Sequence, residues 1–314
     1  MEATATSASS IVADCDAAKS AARALASAPT EAKDRALEAI AAGLIERADE
    51  ILAANAEDLA DERAASLSAA LTDRLTLNRG RVEAMAEGVR VVARLGDPVG
   101  EVLESRTLEN GMEMSKVRVP LGVVAVVYEA RPNVTIDCAA LTVKSGNSIV
   151  LRGSSYAERT NTALAEVVRA GLDEAGLPRD AVVMSTGGGR EGIAELATRD
   201  GVIDLLIPRG GEGLKKTLEE VATVPVIYAA AGVCHVYVHA DADLEMARAI
   251  AYNSKVSRPG VCNAAETLLV DAQVAAAFLP PALEQLAGAG VEILGDERTI
   301  ENAGATPVTP ATPE

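Results

Sequence analysis

Residues 123–133 read Val123-Val124-Ala125-Val126-Val127-Tyr128-Glu129-Ala130-Arg131-Pro132-Asn133. The first six form an unbroken apolar run, mostly β-branched. That pattern predicts a strand buried on both faces, as in a parallel sheet. The next five bring a carboxylate, a cation, a proline and an amide to the strand's end, and helical spacing follows over 134–143. Strand and helix then alternate. Strands are expected at 148–151, 181–184, 202–207 and 224–228, with helices at 157–170, 191–197 and 212–221. This alternation predicts βαβ crossovers and a doubly wound parallel sheet, with ligands at the carboxyl ends of the strands. Three of those ends are chemically loaded: 129–133, Arg152-Gly153-Ser154-Ser155, and Pro208-Arg209-Gly210-Gly211. Each joins a cation or amide to a turn and a helix start, the ingredients of an anion site. Gly187-Gly188-Gly189 reads as a flexible turn and a weak phosphate signal. No G-x-G-x-x-G follows a strand.

Outward from the sheet, residues 11–95 carry apolar residues at three- and four-residue spacing and read as helices. Between them and the first strand lie two extended runs, 99–108 and 112–119, flanking Asn110-Gly111, a strong hairpin signal. A lone hairpin is marginal in water, so it docks either on a second subunit or on its own domain. Beyond the sheet come an alternating strand at 233–239, a helix at 243–255, a strand at 267–270, a helix at 272–286 and a short strand at 291–294. Residues 303–314 are Ala, Thr, Pro and Gly with few large apolar groups, a composition that predicts disorder.

The chain has 314 residues, enough for about two domains, and a formal net charge of −17. That charge argues against nucleic acid and anionic membranes as partners. Aromatics are 2% of the chain, with no Trp and one Phe, so base-stacking platforms are scarce. Cys15, Cys138, Cys234 and Cys262 are scattered without metal-ligand spacing, and there are two histidines. No signal peptide or membrane span is expected, which places the protein in the cytoplasm with reduced thiols.

Ser257-Arg258-Pro259-Gly260-Val261-Cys262-Asn263 follows the 243–255 helix. Pro259-Gly260 makes a turn that presents Cys262 with a cation four residues before it and a carboxamide directly after. An ordinary thiol is only a few per cent thiolate at neutrality, and Arg258 with the turn's N–H groups would raise that fraction. Cys262 is either a nucleophile or a small apolar plug ahead of the strand.

Six ordered motifs now carry a resemblance. They are 120–124, Tyr128 to Thr135, Lys144-Ser145-Gly146-Asn147 with Leu151-Arg152-Gly153, Leu206 to Gly211, Cys234 to Val238, and Arg258-Pro259 with Cys262-Asn263. Together they resemble the gamma-glutamyl phosphate reductases, a branch of the aldehyde dehydrogenase superfamily. The resemblance runs to about Thr299. It implies a Rossmann-type cofactor domain (1–98 and 120–224), an oligomerisation hairpin (99–119) and a catalytic domain (225–300), followed by the 301–314 tail. It also implies NADPH-dependent reduction of L-glutamate 5-phosphate to the semialdehyde in proline synthesis, and a homo-oligomer. Cys262 would form the thioester, with Asn133 and the Cys262 N–H stabilising the oxyanion. Arg152 stands where relatives carry a lysine on the adenine ribose. Ser155, in place of a ribose-binding carboxylate, favours the 2′-phosphate of NADP. Arg152, Gly153, Ser154, Ser155, Pro208, Gly210 and Gly211 would hold the cofactor. Arg131, Arg209, Arg258 and Asn263 would hold the substrate, although Arg209 also suits a strand-end ion pair.

Three departures from the family pattern stand out. Gly260 replaces the usual Ser. Residues 228–231 are poorer in Gly and Thr than the family norm. The family's last quarter has no counterpart, from which an exposed, association-prone edge after about Val233 is expected. Two other readings stay open: a CoA-type acylating aldehyde dehydrogenase, and a non-catalytic remnant that binds nucleotide.

Overall fold

The computed structural model describes residues 2–228 and 232–312, which fall into two compact units, 1–229 and 230–314. The first unit opens with helices α1 (Glu2–Ala26), α2 (Thr30–Glu46), α3 (Ala48–Ala60), α4 (Ala69–Leu75) and α5 (Arg79–Arg94). Asn78 caps α5 by accepting a hydrogen bond from the Arg81 N–H, satisfying a donor the helix start leaves free. Then come β1 (Val102–Thr107) and β2 (Glu113–Val117), an antiparallel hairpin closed at Gly111, whose φ is +82°. Every residue of both hairpin strands is exposed.

The sheet is built from β3 (Val123–Tyr128), β4 (Ser148–Arg152), β5 (Val182–Met184) and β6 (Leu205–Arg209). Helices α6 (Pro132–Lys144), α7 (Glu158–Glu174) and α8 (Gly189–Ala197) connect them, and α9 (Glu212–Val221) follows β6. All pairings are parallel, in the order β5-β4-β3-β6. Successive side chains of β3 go to opposite faces. Val124, Val126 and Tyr128 pack with α2, α5, α6 and α7, whereas Val123, Ala125 and Val127 pack with α1, α8 and α9. That two-faced burial is why the sequence shows a continuous apolar run rather than an alternation. The strand order reverses direction between β3 and β6, which makes their carboxyl ends a crevice between two winding halves.

A buried ion pair roots the hairpin. Lys33 of α2, 1% exposed at its side chain, pairs with Asp97 at 2.5 Å. Asp97 also accepts from the Thr30 hydroxyl at 2.7 Å and the Val99 N–H at 3.0 Å. Burial pushes the Asp97 carboxyl's pKa up, but Lys33, the Val99 amide and Thr30 together outweigh it and hold the group below its ordinary value.

The second unit begins with β7 (His235–Val238), α10 (Leu244–Val256) and the parallel strand β8 (Thr267–Val270). Then come α11 (Ala275–Gly288), β9 (Leu294–Gly295), α12 (Glu297–Glu301) and β10 (Thr309–Pro310). Its core gathers Val238, Ala247, Ala251, Phe278, Leu279, Ala282, Leu283 and Ala303. Asp243 caps α10 by accepting from the Glu245 and Met246 N–H groups.

Four expectations need correction. Residues 224–228 make no full strand. A single bridge joins Leu206 to Val226, because Thr223 and Val224 donate to the Ala197 carbonyl and Pro225 has no N–H for a ladder. Val224 packs in the first unit's core, so the unit boundary lies past 224. Residues 301–312, expected as a disordered tail, are folded: β10 pairs parallel with β9, with Thr309 N donating to Ile293 O and Ala311 N to Gly295 O. The expected 291–294 strand is correspondingly shifted to Leu294–Gly295. Residues 229–231 of the poorly matching segment, and 313–314, lie outside the described residues.

Candidate active site

In the first unit a cavity of about 870 Å³ opens at the carboxyl ends of β3, β4 and β5. Glu129 and Ala130 line it after β3, Arg152 to Ser155 after β4, and Ser185 to Gly189 after β5. Chain reversal at each strand end supplies these residues. Ser154 Oγ accepts from the Ala130 N–H at 3.2 Å, which ties two of the strand ends together. A β-carbon on Gly153 would collide with the Asn161 carboxamide, so only glycine leaves the floor flat there. Ser155 is exposed at the start of the turn.

Arg152 is 6% exposed. One guanidinium nitrogen donates to the carbonyls of Gly187 and, at 2.9 Å, Gly189. The φ angles of Gly187, Gly188 and Gly189 are +78°, +70° and +50°, a left-handed run closed to most side chains. Burial lowers the Arg152 pKa from its ordinary value, with Glu158 and Asp14 opposing. Its Nη1 is buried without a hydrogen-bond partner. The glycine turn is therefore an integral wall of the cavity, held by the cation that the resemblance would assign to the cofactor.

At the end of β6, Pro208 is buried, while Arg209, Gly210 and Gly211 are exposed. Glu129 Oε2 accepts from the Gly211 N–H at 3.3 Å, across the β3–β6 crevice. Pro132 and Asn133 form the first turn of α6 behind Arg131. Asn133 is exposed and donates to Asp137 Oδ2 at 3.0 Å. Burial raises the Asp137 pKa, and Asn133 and the Arg209 charge oppose it. Asn133, Arg131 and Arg209 do not line the cavity, and neither do Pro208, Gly210 and Gly211 of the expected cofactor set.

In the second unit Arg258, Cys262 and Asn263 sit together on one exposed turn after α10. Val261 N donates to Arg258 O at 3.3 Å, Ala264 N to Val261 O at 3.2 Å, and Ala265 N to Ser254 O at 2.9 Å. The Cys234 thiol donates to the Cys262 carbonyl at 3.5 Å. Cys262 is exposed on this turn. Cys15 and Cys138 differ: burial pushes both thiols up to about 11. A second cavity, about 570 Å³, lies between β8, α11 and β9, and none of the expected site residues lines it. Among the described residues no cluster suits a metal ion.

The aldehyde dehydrogenase family model matches residues 1–299. The chain is 49% identical to a gamma-glutamyl phosphate reductase of Kineococcus radiotolerans over 97% of its own length and 71% of the relative's. It is 50% identical to the same enzyme of Thermobifida fusca, covering 95% of this chain and 71% of that one. The chain belongs to the gamma-glutamyl phosphate reductase family. The crystal structure of the Thermotoga maritima gamma-glutamyl phosphate reductase superposes with a TM-score of 0.88 at 39% identity, covering 97% of this chain and 73% of that one. The aldehyde dehydrogenase-like α/β fold expected from the motifs is thereby shown.

For this member of the reductase family, sequence reasoning missed part of the cavity. Arg63, Ser66, Leu67 and Leu71 reach it from the segment before and within α4, and Glu158 and Asn161 from α7. Beyond the strand ends at 129–130 and 152–155, only the Gly187-Gly188-Gly189 triplet was a visible signal. The rest arrive through tertiary packing.

Proposed function

We propose that this chain carries out the family's reaction in proline synthesis, the reduction of L-glutamate 5-phosphate to glutamate 5-semialdehyde with release of phosphate. Identity near one half over almost the whole chain, to relatives named for that activity, is the observation that carries the reading. Cys262 Sγ attacks the acyl carbon of the substrate, phosphate leaves with the bonding electrons, and a thioester remains on the sulfur. A nicotinamide cofactor, when bound, would supply the hydride that reduces the thioester. Asn133 and the Cys262 N–H donate to the developing oxyanion, each such donor being worth ~10²–10³ in rate. As the C–S bond breaks, the thiolate is regenerated and the aldehyde leaves. Arg131, Arg209, Arg258 and Asn263 are assigned to the substrate's phosphate and α-carboxylate.

The first unit's cavity fits a dinucleotide. It has glycine walls, a buried cation at its rim, and strand ends turned toward a helix start. Gly153, Ser154 and Ser155, which line it, are assigned to the cofactor with Arg152; Pro208, Gly210 and Gly211 at the neighbouring β6 end are assigned to the same cofactor, and NADP is the preferred form. Arg152→Ala should weaken NADP about ten- to a hundredfold and NAD much less, since a charge-assisted hydrogen bond is worth ~1.5–3 kcal/mol. Titration of both cofactors checks this. Equal losses would assign Arg152 wholly to the glycine turn.

The decisive experiment is turnover in reverse, with semialdehyde, phosphate and NADP. Reduction of NADP that depends on phosphate supports the reading. Dependence on CoA instead would favour the acylating alternative.

We also infer a cytoplasmic homo-oligomer. Among the described residues no helix is long and apolar enough to cross a membrane. The hairpin exposes Val102, Leu103, Met112, Met114 and Val117, an apolar surface suited to a second copy. Leu103→Arg with Met114→Arg should lower the mass seen by light scattering, and an unchanged mass would remove the hairpin from assembly.

A further inference from the structure

Glu129 stands at the end of β3, beside the crevice where the sheet's strand order reverses. This is the position at which doubly wound sheets hold ligands. Its Oε2 accepts from the N–H of Gly211, the N-cap of the ten-residue helix α9. Its Oε1 would lie 2.9 Å from a β-carbon built on Gly210, so the carboxylate packs directly over the glycine turn. Glu129 also lines the 870 Å³ cavity, whose rim holds the buried, incompletely bonded guanidinium of Arg152. A helix N-terminus carries about half a positive charge and free N–H groups, and it favours an anion. In this fold that anion is a cofactor phosphate. Here the place is taken by a side chain.

We propose that Glu129 is an internal occupant of the phosphate position. It caps α9 when the crevice is empty, and the pyrophosphate of the nicotinamide dinucleotide must displace it to bind. The inference rests on the proposed cofactor use. Glu129 is exposed and its carboxylate's one hydrogen bond among the described residues is long, so rotation away costs little. What remains is like-charge repulsion between the carboxylate and the arriving phosphates. Both the competition and the repulsion weaken affinity, and both hasten departure of the spent cofactor. The pyrophosphate is common to NADP and NAD, so the effect does not discriminate between them. This separates Glu129 from Arg152, whose role concerns the 2′-phosphate.

The test is Glu129→Gln and Glu129→Ala, titrated with NADP and with NAD at low and high salt, with thermal unfolding as a check on folding. Both variants should bind both cofactors tighter, by about two- to tenfold at low salt. The gain should shrink as salt screens the charges. A purely structural cap would give the reverse, weaker binding with a lowered melting point. Unchanged or weaker binding in both variants, or a gain confined to NADP, would overturn the inference while leaving the proposed function standing. A parent protein that binds neither cofactor would overturn the proposed function and this inference with it.

Discussion

Cys262→Ser is expected to lower reductase turnover by roughly 10³-fold or more while NADPH binding stays within about twofold. The two effects separate because the cavity proposed for the dinucleotide is lined, among the described residues, by the first unit, and Cys262 belongs to the second. A serine hydroxyl in this turn has no general base identified to activate it, whereas a thiol supplies its own thiolate fraction at neutral pH. Chemical modification gives an independent reading. Cys262 is exposed, whereas Cys15 is buried and both Cys15 and Cys138 have thiols pushed up to about 11. At pH 8 those two are about 0.1% thiolate. Iodoacetamide should therefore label Cys262 well ahead of Cys15 and Cys138, and activity should fall in step with that label. A serine enzyme keeping more than about a tenth of parental turnover would strip Cys262 of its role.

Lys33→Met is expected to destabilise the first unit by ~3–5 kcal/mol, because it strands the Asp97 carboxylate without its ammonium partner. Lys33 is 1% exposed and Asp97 11% at their side chains, so water offers little compensation. The loss carries a pH signature. In the parent, the Asp97 pKa is held below its unfolded value of about 3.9. Its contribution is therefore complete above that value and is lost as pH falls through the folded pKa. In the variant, burial acts without Lys33 to oppose it. The carboxyl is then easier to protonate when folded, and the gap between the two proteins narrows in acid. Urea unfolding at pH 7 and pH 4 measures both effects. Adding Asp97→Leu should restore part of the loss, although the Thr30 hydroxyl and Val99 N–H then lack their acceptor. A loss below about 1 kcal/mol at pH 7 would mean that solvent reaches the site in solution.

Much of this architecture was legible because burial on two faces writes itself into the chain. Val123–Tyr128 has no polar break, and its strand ends where Glu129 begins. The same reasoning failed at 224–228, where an apolar stretch contains Pro225 and the edge position tolerates a single bridge. It failed again at 303–312, where Ala, Thr and Pro suggested disorder. There the order comes from backbone bonds on either side of Pro310 and from Gly295, where a β-carbon would meet Val308 at 2.9 Å. The apolar anchors are only Val308 and the small Ala303, too few for composition to reveal the packing. In the site, the strand-end clusters were visible as local strings. The coupling of Arg152 to Gly187 and Gly189 was not, because it joins residues 35 and 37 positions apart in sequence. The reach of Glu129 to Gly211 spans 82 positions and was equally silent.

The central strand of the sheet has a consequence for how the chain is made. β3 is the first sheet strand to leave the ribosome, yet its two neighbours are β4 and β6. The helices that cover both of its faces include α1 and α2, translated earlier, and α7 and α9, translated later. At ~5–20 residues per second, β6 follows β3 after roughly four to sixteen seconds. Through that interval a six-residue apolar ribbon waits with one edge unpaired and one face only partly covered. A ribbon of this kind readily pairs with other nascent chains. The early helices offer it temporary cover: α1 for one face and α2 with α5 for the other. Slowing translation between β4 and β6 should therefore increase dependence on chaperones more than slowing it anywhere before β3.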